Sequence, residues 1–197
     1  VDVSAALPRV GDTWTYRYVN GWKKDSPQTV VVKVEEAEAG RVTDKMSMRG
    51  GRGADERTHE GVAEVIERSV GRDVRVIEML PYVQSLLTGL KPGEEKTLPN
   101  LALVRESYTV KLRFVGAETV SVPAGSFNAS RLEIVGQRIG YGVPHASSMV
   151  STVNQFTYTL WFASEARRVV KAQYSSSNVY RSRLDDDSLE LVSFALR

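Results

Sequence analysis

Large apolar side chains occupy every second position in four segments of the chain, and most of the residues between them are polar. Because successive side chains of a strand point to opposite faces of a sheet, this pattern predicts half-buried β-strands. Four such strands need a common apolar interior, so we expect them to share one sheet. The four segments contain Trp14, Tyr16 and Tyr18; Val30, Val32 and Val34; Tyr108, Val110, Leu112 and Phe114; and Phe156, Tyr158, Leu160 and Phe162.

Less regular alternation predicts six further strands, separated by turn-forming residues. Helical periodicity is scarce, which disfavours a parallel sheet with helical crossovers. The sequence therefore predicts an all-β fold, mainly antiparallel, built as a curved sheet or an open β-barrel or sandwich with at most one or two short helices. The further strands are expected at 42–49, 74–80, 120–122, 130–135, 168–174 and 189–196, the turns at 38–40, 123–125, 140–144 and 185–188, and the helices at 81–87 and 63–70.

A chain of 197 residues with 42% hydrophobic residues can bury one sizeable core, so residues 1–197 are expected to form a single β domain. Two similar turns suggest an alternative division. Leu7 to Asp12 and Leu90 to Glu94 each place a glycine and an acidic residue ahead of extended structure. The alternative is that the domain consists of two similar halves, 1–88 and 89–197.

Charge and cysteine content exclude several classes of function. The 26 Lys and Arg residues nearly balance the 24 Asp and Glu residues, so a formal net charge of +2 predicts no polyanionic partner. The absence of cysteine excludes disulfides, thiolate nucleophiles and cysteine-ligated metals. No apolar run is long enough to cross a bilayer, and the chain starts without a leader, as expected for the mature form of an exported protein.

Catalytic motifs are missing from the sequence. The only histidines, His59 and His145, lie far apart, and His59 lacks the second histidine of a zinc-binding helix. No Gly-x-Ser-x-Gly motif occurs, and Ser126 fits a turn better than a nucleophile. We therefore predict no metal, no cofactor and no enzymatic activity, with a hydrolase as the least favoured alternative.

Charged runs have simpler interpretations than chemistry. Glu35–Glu36 and Glu94–Glu95 are candidates for general acid and base work, but neighbouring strand residues point to opposite faces, so exposed loop or edge charges are favoured. Asp185–Asp187 lacks the spacing of a calcium loop and is predicted to be a charged turn. Arg49 to Gly53 resembles a single arginine-glycine repeat of RNA-binding tails. One copy predicts a hairpin loop and no nucleic-acid partner.

The aromatic positions of the alternating strands are the strongest candidates for a binding site. In a strongly curved sheet they could line an apolar cavity with hydroxyl groups at its mouth, as small-molecule sites often require. They could equally fill a core, and the sequence leaves both interpretations open. Trp161, on the opposite face of its strand, is predicted to belong to a second buried face or an interaction surface. The predicted ligand-binding residues are Trp14, Tyr16, Tyr18, Tyr108, Phe114, Phe156 and Tyr158.

Three motifs, in order along the chain, resemble an uncharacterised family of bacterial exported proteins and lipoproteins. Gly11-Asp12-Thr13-Trp14 matches its Gly-Asp-x-Trp opening, and Val122-Pro123-Ala124-Gly125-Ser126-Phe127 matches its central Val-Pro-Ala-Gly-[Ser/Thr]-Phe turn. A late aromatic strand with Leu160-Trp161-Phe162 precedes Val169-Val170-Lys171, as in the family. Ser164 to Arg167 depart from the family, which has a turn with proline and glycine at this point.

The resemblance implies an exported, often lipid-anchored envelope protein with a curved sheet or open barrel and no known reaction. Together with the aromatic alternation, it predicts a non-enzymatic protein, periplasmic or outer-membrane-associated, that binds a lipid or another apolar ligand. The alternative is a structural or protein-interaction module whose aromatic residues fill its core. An envelope protein is a further expected partner, and the start of the chain is compatible with the loss of an N-terminal lipid anchor.

Overall fold

Nearly all of the regular structure is β-strand. The computed structural model describes residues 7–21, 27–38, 41–48, 54–60, 64–68, 89–103, 106–139 and 153–197. These ranges contain eleven strands and the short 3-10 helix Ser164–Ala166, and none of their helices is long and apolar enough to span a membrane. The strands are β1 (Thr13–Val19), β2 (Gln28–Glu38), β3 (Arg41–Met48), β4 (Ala54–Glu60), β5 (Glu64–Arg68), β6 (Glu95–Leu103), β7 (Glu106–Val122), β8 (Gly125–Arg138), β9 (Gln155–Ala163), β10 (Arg168–Ser177) and β11 (Arg183–Ala195).

All eleven described strands belong to one sheet, in the order β5-β4-β3-β2-β1-β11-β10-β9-β8-β7-β6, and every neighbouring pair is antiparallel. The chain therefore forms two consecutive meanders, β1–β5 and β6–β11. The meanders join where the first strand pairs with the last. Since β5 and β6 lie at opposite ends of this order, the sheet is open. The predicted fold class, an antiparallel all-β protein with a curved, open sheet, is confirmed.

The four strongly alternating segments all place their large apolar residues on the same face of the sheet, here called the inner face. Register shows how the strands share it: Leu160 lies opposite both Leu132 and Ala172. Most residues of this face are fully buried, whereas most of the intervening residues are polar and partly exposed. The alternation therefore predicted both the strands and the side chains that form the core.

The sheet is strongly curved, with the inner face on its concave side. Three strands separate β3 from β10, and in a flat sheet with strands about 4.8 Å apart they would lie about 19 Å from each other. Arg168 of β10 nevertheless donates from its guanidinium to the carboxylate of Asp44 in β3, at 3.2 Å. This distance is possible only because the sheet bends around its inner face.

The glycine turn before β1 ties that strand to β2. Gly11, at a φ of 88°, donates its N–H to the carbonyl of Val34 at 2.9 Å, and Asp12 donates to the carbonyl of Arg9 at 3.0 Å. Val34 returns an N–H to the carbonyl of Asp12 at 3.0 Å. The positive φ explains the glycine, because other residues rarely adopt it.

The glycine turn before β6 repeats this pattern at the far end of the sheet. Gly93, also at a φ of 88°, donates to the carbonyl of Phe114 at 2.7 Å, and Glu94 donates to the carbonyl of Lys91 at 3.0 Å. Phe114 returns an N–H to the carbonyl of Glu94 at 3.0 Å. The two turns noticed in the sequence are thus alike in structure, while a division into two similar halves stays a prediction.

The motif at 122–127 forms the tip of the β7–β8 hairpin, as predicted. Pro123 and Ala124 make the turn, Gly125 follows at a φ of 136°, and the ring of Phe127 is buried. The N–H of Ala124 donates to the carbonyl of Leu191 in β11 at 3.0 Å. The hairpin tip therefore folds back across the sheet and adds to its curvature.

Two local predictions were wrong. The run at 185–188 is not a turn but part of β11, where Asp185 and Asp187 are buried and continue the inner-face alternation of Leu189 and Leu191. The weaker helix at 63–70 is also wrong, because Glu64–Arg68 is strand β5, paired with β4. In both cases pairing with a neighbouring strand outweighs local propensity. The strand at 74–80, the helix at 81–87, the turn at 140–144 and the loop at 49–53 lie outside the described residues.

Gly136 in β8 makes room for an aromatic ring on the inner face, and this gives a test of the packing. A Cβ atom added there would lie 2.1 Å from the ring of Phe156. Replacing glycine by alanine within a strand normally stabilises a protein. Here we expect Gly136→Ala to lower the free energy of unfolding by about 2 kcal/mol, because the added methyl group overpacks the core. Urea denaturation measures this change. Gln137→Ala, on the exposed face beside it, is the control, and equal stability of both variants would contradict the packing described.

Candidate functional site

All seven aromatic residues predicted to contact a ligand are buried on the inner face. None has more than 6% of its surface exposed. They come from three strands, β1, β7 and β9, which occupy separate positions across the curved sheet. The structure therefore gathers the predicted residues around one concave surface. These residues are Trp14, Tyr16, Tyr18, Tyr108, Phe114, Phe156 and Tyr158.

Four rings form an aromatic cluster near one end of the inner face. Phe156 lies at its centre, with ring centroids 5.1 Å from Tyr108 and 5.6 Å from Tyr158, both edge to face. Tyr174 completes it, 4.7 Å from Tyr158 and 6.4 Å from Phe156. Such geometry favours aromatic pairs beyond simple burial. Our sequence analysis did not include Tyr174, although its spacing of two from Ala172 in a predicted strand was the signal that could have identified it.

The polar atoms of the three β1 aromatics are used within the protein. Trp14 donates from Nε1 to the carbonyl of Ala166 at 2.7 Å, and Tyr16 donates its hydroxyl to the carbonyl of Val169 at 2.8 Å. Tyr18 donates to Oδ2 of Asp187 at 2.9 Å. These side chains therefore connect β1 to the 3-10 helix, to β10 and to β11. The hydroxyl groups of Tyr16 and Tyr18 do not stand at a solvent-exposed mouth.

One end of the inner face is held by residues 164–169, which we call the clasp. Arg167 is left-handed, with a φ of 53°, at a place where glycine would be less strained. Its guanidinium donates to Oδ2 of Asp12 at 2.9 Å and to the carbonyl of Arg197 at 3.1 Å. Asp12 is fully buried and also accepts the N–H of Arg197 at 2.7 Å. The clasp thus fixes one end of the β1–β11 pair, where the start of β1 lies beside the end of β11.

One residue of the clasp, Arg168, forms a buried ion pair with Asp44 of β3. Arg168 is 3% exposed and Asp44 is fully buried, and two hydrogen bonds join them, at 3.2 and 2.5 Å. The guanidinium of Arg168 also lies over the ring of Trp14, 4.8 Å from its centroid. Burial raises the pKa of Tyr16 well above its ordinary value, while the charges of Arg168 and Asp44 act on it in opposite directions.

The opposite end of the inner face carries two buried carboxylates. Asp187 accepts the hydroxyl of Tyr18 and, through Oδ1, the N–H of Gly21 at 3.2 Å. Asp185 accepts the hydroxyl of Ser176 at 2.9 Å through Oδ2. The residues expected to form a charged turn are therefore hydrogen-bonded members of the concave surface. Asp185 and Asp187 therefore belong to the candidate site, although the sequence predicted a turn for them.

Trp161 lies on the outer face, as its position in the strand predicted, and is 8% exposed. Its Nε1 donates to Glu118 at 2.5 Å, and the cationic groups of Arg131 and Lys171 lie over its ring, 5.8 and 5.6 Å from the centroid. This cation–π arrangement covers the indole with charged side chains. Lys171 continues the row to Glu190 at 3.5 Å, which belongs to a second ion pair with β1. Trp161 is thus part of a buried contact on the outer face.

The carboxylate pairs considered for catalysis are exposed, as predicted. Glu35 forms an ion pair with Lys33 at 3.0 Å, and Glu95 forms one with Lys111 at 2.9 Å. Glu94 accepts the N–H of Lys91 at 2.8 Å and thereby closes its own turn. Ordinary surface and turn contacts account for these side chains.

The remaining candidates for chemistry have no common site in the described residues. His59 belongs to β4, and His145 lies outside the described ranges. Ser126 is exposed at the start of β8, with its hydroxyl 2.9 Å from that of Ser121. In the described part of the chain, no group of three or more His, Cys, Asp or Glu residues is arranged to hold a metal ion.

Solved structures share this fold at low sequence identity. A candidate lipoprotein from Parabacteroides distasonis aligns with a TM-score of 0.53 and 10% identity, over 96% of this chain and 98% of that one. A candidate exported protein with a YmcC-like fold from Bacteroides fragilis aligns with a TM-score of 0.52 and 14% identity, over 96% and 97% of the two chains. No protein-family model and no curated protein matches the sequence. The similarity therefore shows a common fold, and the motif-based family resemblance stays a prediction.

The buried ion pair gives a stability prediction. Asp44→Leu leaves the charge of Arg168 buried without this carboxylate, and we expect a loss of about 3–5 kcal/mol in the free energy of unfolding. The double variant Asp44→Leu with Arg168→Met should recover most of that loss, because both charges are replaced. Urea denaturation of both variants measures the difference. Arg183→Met, which removes an ion pair with more than half of each side chain exposed, is the control and should cost less than about 1 kcal/mol.

The raised pKa of Tyr16 predicts a pH dependence. A neutral phenol whose pKa is higher in the folded state stabilises the protein fully below the unfolded value of 10.0, and this contribution falls as the pH rises towards the folded value. Above pH 10.0, wild type should therefore lose up to about 1.4 kcal/mol more per pH unit than Tyr16→Phe. Urea denaturation at about pH 8 and about pH 11 measures the difference, with the exposed Tyr180→Phe as control. Parallel losses in wild type and Tyr16→Phe would contradict this role.

Proposed function

We propose that this protein is a non-enzymatic cell-envelope protein that binds a lipid or another amphiphilic molecule on the inner face of its sheet. The observation that supports this proposal most strongly is the concave shape of one open sheet whose inner face carries the aromatic residues. Apolar ligands are commonly held by concave surfaces lined with aromatic and aliphatic side chains.

The distribution of polar groups on the inner face suits an amphiphile. The middle of the face is apolar, with Leu160, Leu132 and Ala172 side by side on three strands. Among the described residues, charged side chains lie towards its ends, with Asp44 at one and Asp187 at the other. A ligand with an apolar body and a polar group would match this order better than a fully apolar one.

An envelope location is supported by two lines of reasoning. The solved structures that share the fold are a candidate lipoprotein and a candidate exported protein. The sequence resembles exported proteins in three motifs. We propose a periplasmic or outer-membrane-associated position, with an envelope protein as a further partner.

A second candidate function is a structural or protein-interaction module with a filled core. The hydrogen bonds of Trp14, Tyr16 and Tyr18 favour it, because these side chains already have partners within the protein. A packed interior would use the same aromatic residues for stability alone. The two proposals differ in whether the concave surface has room for a guest.

Ala172 offers a direct test of this difference, because it is a small residue in the middle of the inner face. We expect Ala172→Trp to fold and to lose the ligand, since the new ring would occupy its place. The matched control is Gln173→Trp, which puts the same side chain on the exposed outer face of the same strand. Native mass spectrometry and lipid extraction of protein purified from the periplasm of a bacterial host measure the bound molecule.

The contrary result is equally clear. In a filled core, Ala172→Trp would be overpacked and would lose about 1–3 kcal/mol or more in the free energy of unfolding, while Gln173→Trp would not. Wild-type protein would then carry no amphiphile. That combination of results would support the interaction module and exclude the ligand-binding proposal.

A further inference from the structure

We infer that the Asp44–Arg168 pair sets the width of the concave inner face and thereby limits the cross-section of the ligand it accepts. This inference rests on the proposed binding function and assigns two positioning residues to it. Neither side chain needs to touch the ligand. They act by fixing the distance between strands on either side of it.

The sheet order explains why this pair has such an effect. Backbone hydrogen bonds fix each strand against its neighbours, but small changes of twist and bend add up over several strands. Asp44 and Arg168 join β3 to β10 directly, across β2, β1 and β11. Their ion pair therefore fixes a distance that the intervening strand pairs leave adjustable.

The same contact reaches the predicted binding residues. The guanidinium of Arg168 lies over Trp14, and the next residue, Val169, accepts the hydroxyl of Tyr16. Both aromatic residues belong to β1, in the middle of the span between the two charges. A change in the position of Arg168 would consequently change the shape of the surface on which the ligand is expected to lie.

The backbone next to Arg168 is held in one conformation. Arg167 has a left-handed φ of 53°, and its guanidinium forms an ion pair with Asp12 just before β1. A strained residue persists only where surrounding contacts determine it. The clasp is thus a fixed support for the ion pair rather than an adjustable loop.

Spin-label distances test the width directly. The chain has no cysteine, so two introduced cysteines can be labelled selectively. Lys45 in β3 and Gln173 in β10 are exposed and lie on the two strands that the ion pair joins, so Lys45→Cys and Gln173→Cys place one label on each strand. Double electron–electron resonance should give a narrow distance distribution in the otherwise wild-type protein. In the Asp44→Leu with Arg168→Met background, we expect a longer mean distance and a broader distribution.

The double background is chosen because single removal of one charge would be strongly destabilising. Circular dichroism and the unfolding midpoint establish that it is folded, and Arg183→Met serves as the control for loss of an ion pair elsewhere. An unchanged distance distribution in a folded double variant would overturn the inference. It would do so whether or not the protein binds a ligand.

The second measurement compares the dissociation constants of two fluorescent lipid probes for the wild type and the double variant. Dansyl-undecanoate carries one chain, and an NBD-labelled phosphatidylglycerol carries two. If the pair limits the width, the ratio of their dissociation constants should change by about fivefold in favour of the two-chain probe in the double variant. If the pair had a purely structural role, the double variant would bind both probes more weakly by the same factor. Arg168→Lys, which keeps the positive charge, should restore part of the wild-type ratio.

The outcomes separate the two proposals. If wild-type protein binds neither probe and carries no amphiphile, the proposed function is wrong, while the distance measurement still decides the role of the pair. If wild type binds and the double variant keeps the same ratio of dissociation constants, the function stands and the inference about width is wrong.

Discussion

The apolar side chains of a β-sheet have to be withdrawn from water, and in the described part of this protein one sheet meets that need by bending around its own inner face. The contacts between strands that are not neighbours in the sheet depend on this bend. It brings Arg168 to Asp44 across three strands, turns the tip of the β7–β8 hairpin onto β11, and collects aromatic residues from separate strands around one concavity. The candidate site is therefore a product of curvature rather than of any local motif.

The outer face shows the complementary solution. Convex surfaces spread their side chains apart, so a large ring such as Trp161 would stand exposed there. The cationic side chains of Arg131 and Lys171, from the neighbouring strands, instead lie over its ring, and Glu118 accepts its N–H. Charged side chains thus cover an apolar group without a second layer of structure. The two faces of the sheet are built on different principles although their strands are the same.

Alternation along the chain was sufficient to predict β1, β2, β9 and the first part of β7, since each has one buried and one more exposed face. The predicted strand at 120–122 is the second part of the same β7, which runs without a break from Glu106 to Val122. The same rule would have placed Asp185 and Asp187 on the inner face, but three consecutive aspartates favour a turn when only local preferences are considered. Their carboxylates are buried because they accept hydrogen bonds from Tyr18 and Ser176. Both partners lie on other strands, so the local sequence does not reveal them. The contact between Asp44 and Arg168 could not be predicted either, because the local sequence around each residue does not indicate a partner 124 residues away.

Pairing of the first strand with the last has a consequence for biosynthesis. β1 contains three of the buried aromatic residues, and one of its two edges is completed by β11, the final strand of the sheet. During synthesis β1 is made well before β11, so Trp14, Tyr16 and Tyr18 cannot be fully enclosed until β11 is available. These aromatic side chains stay exposed during that interval, so a holding chaperone would be most valuable to the chain before β11 has been made.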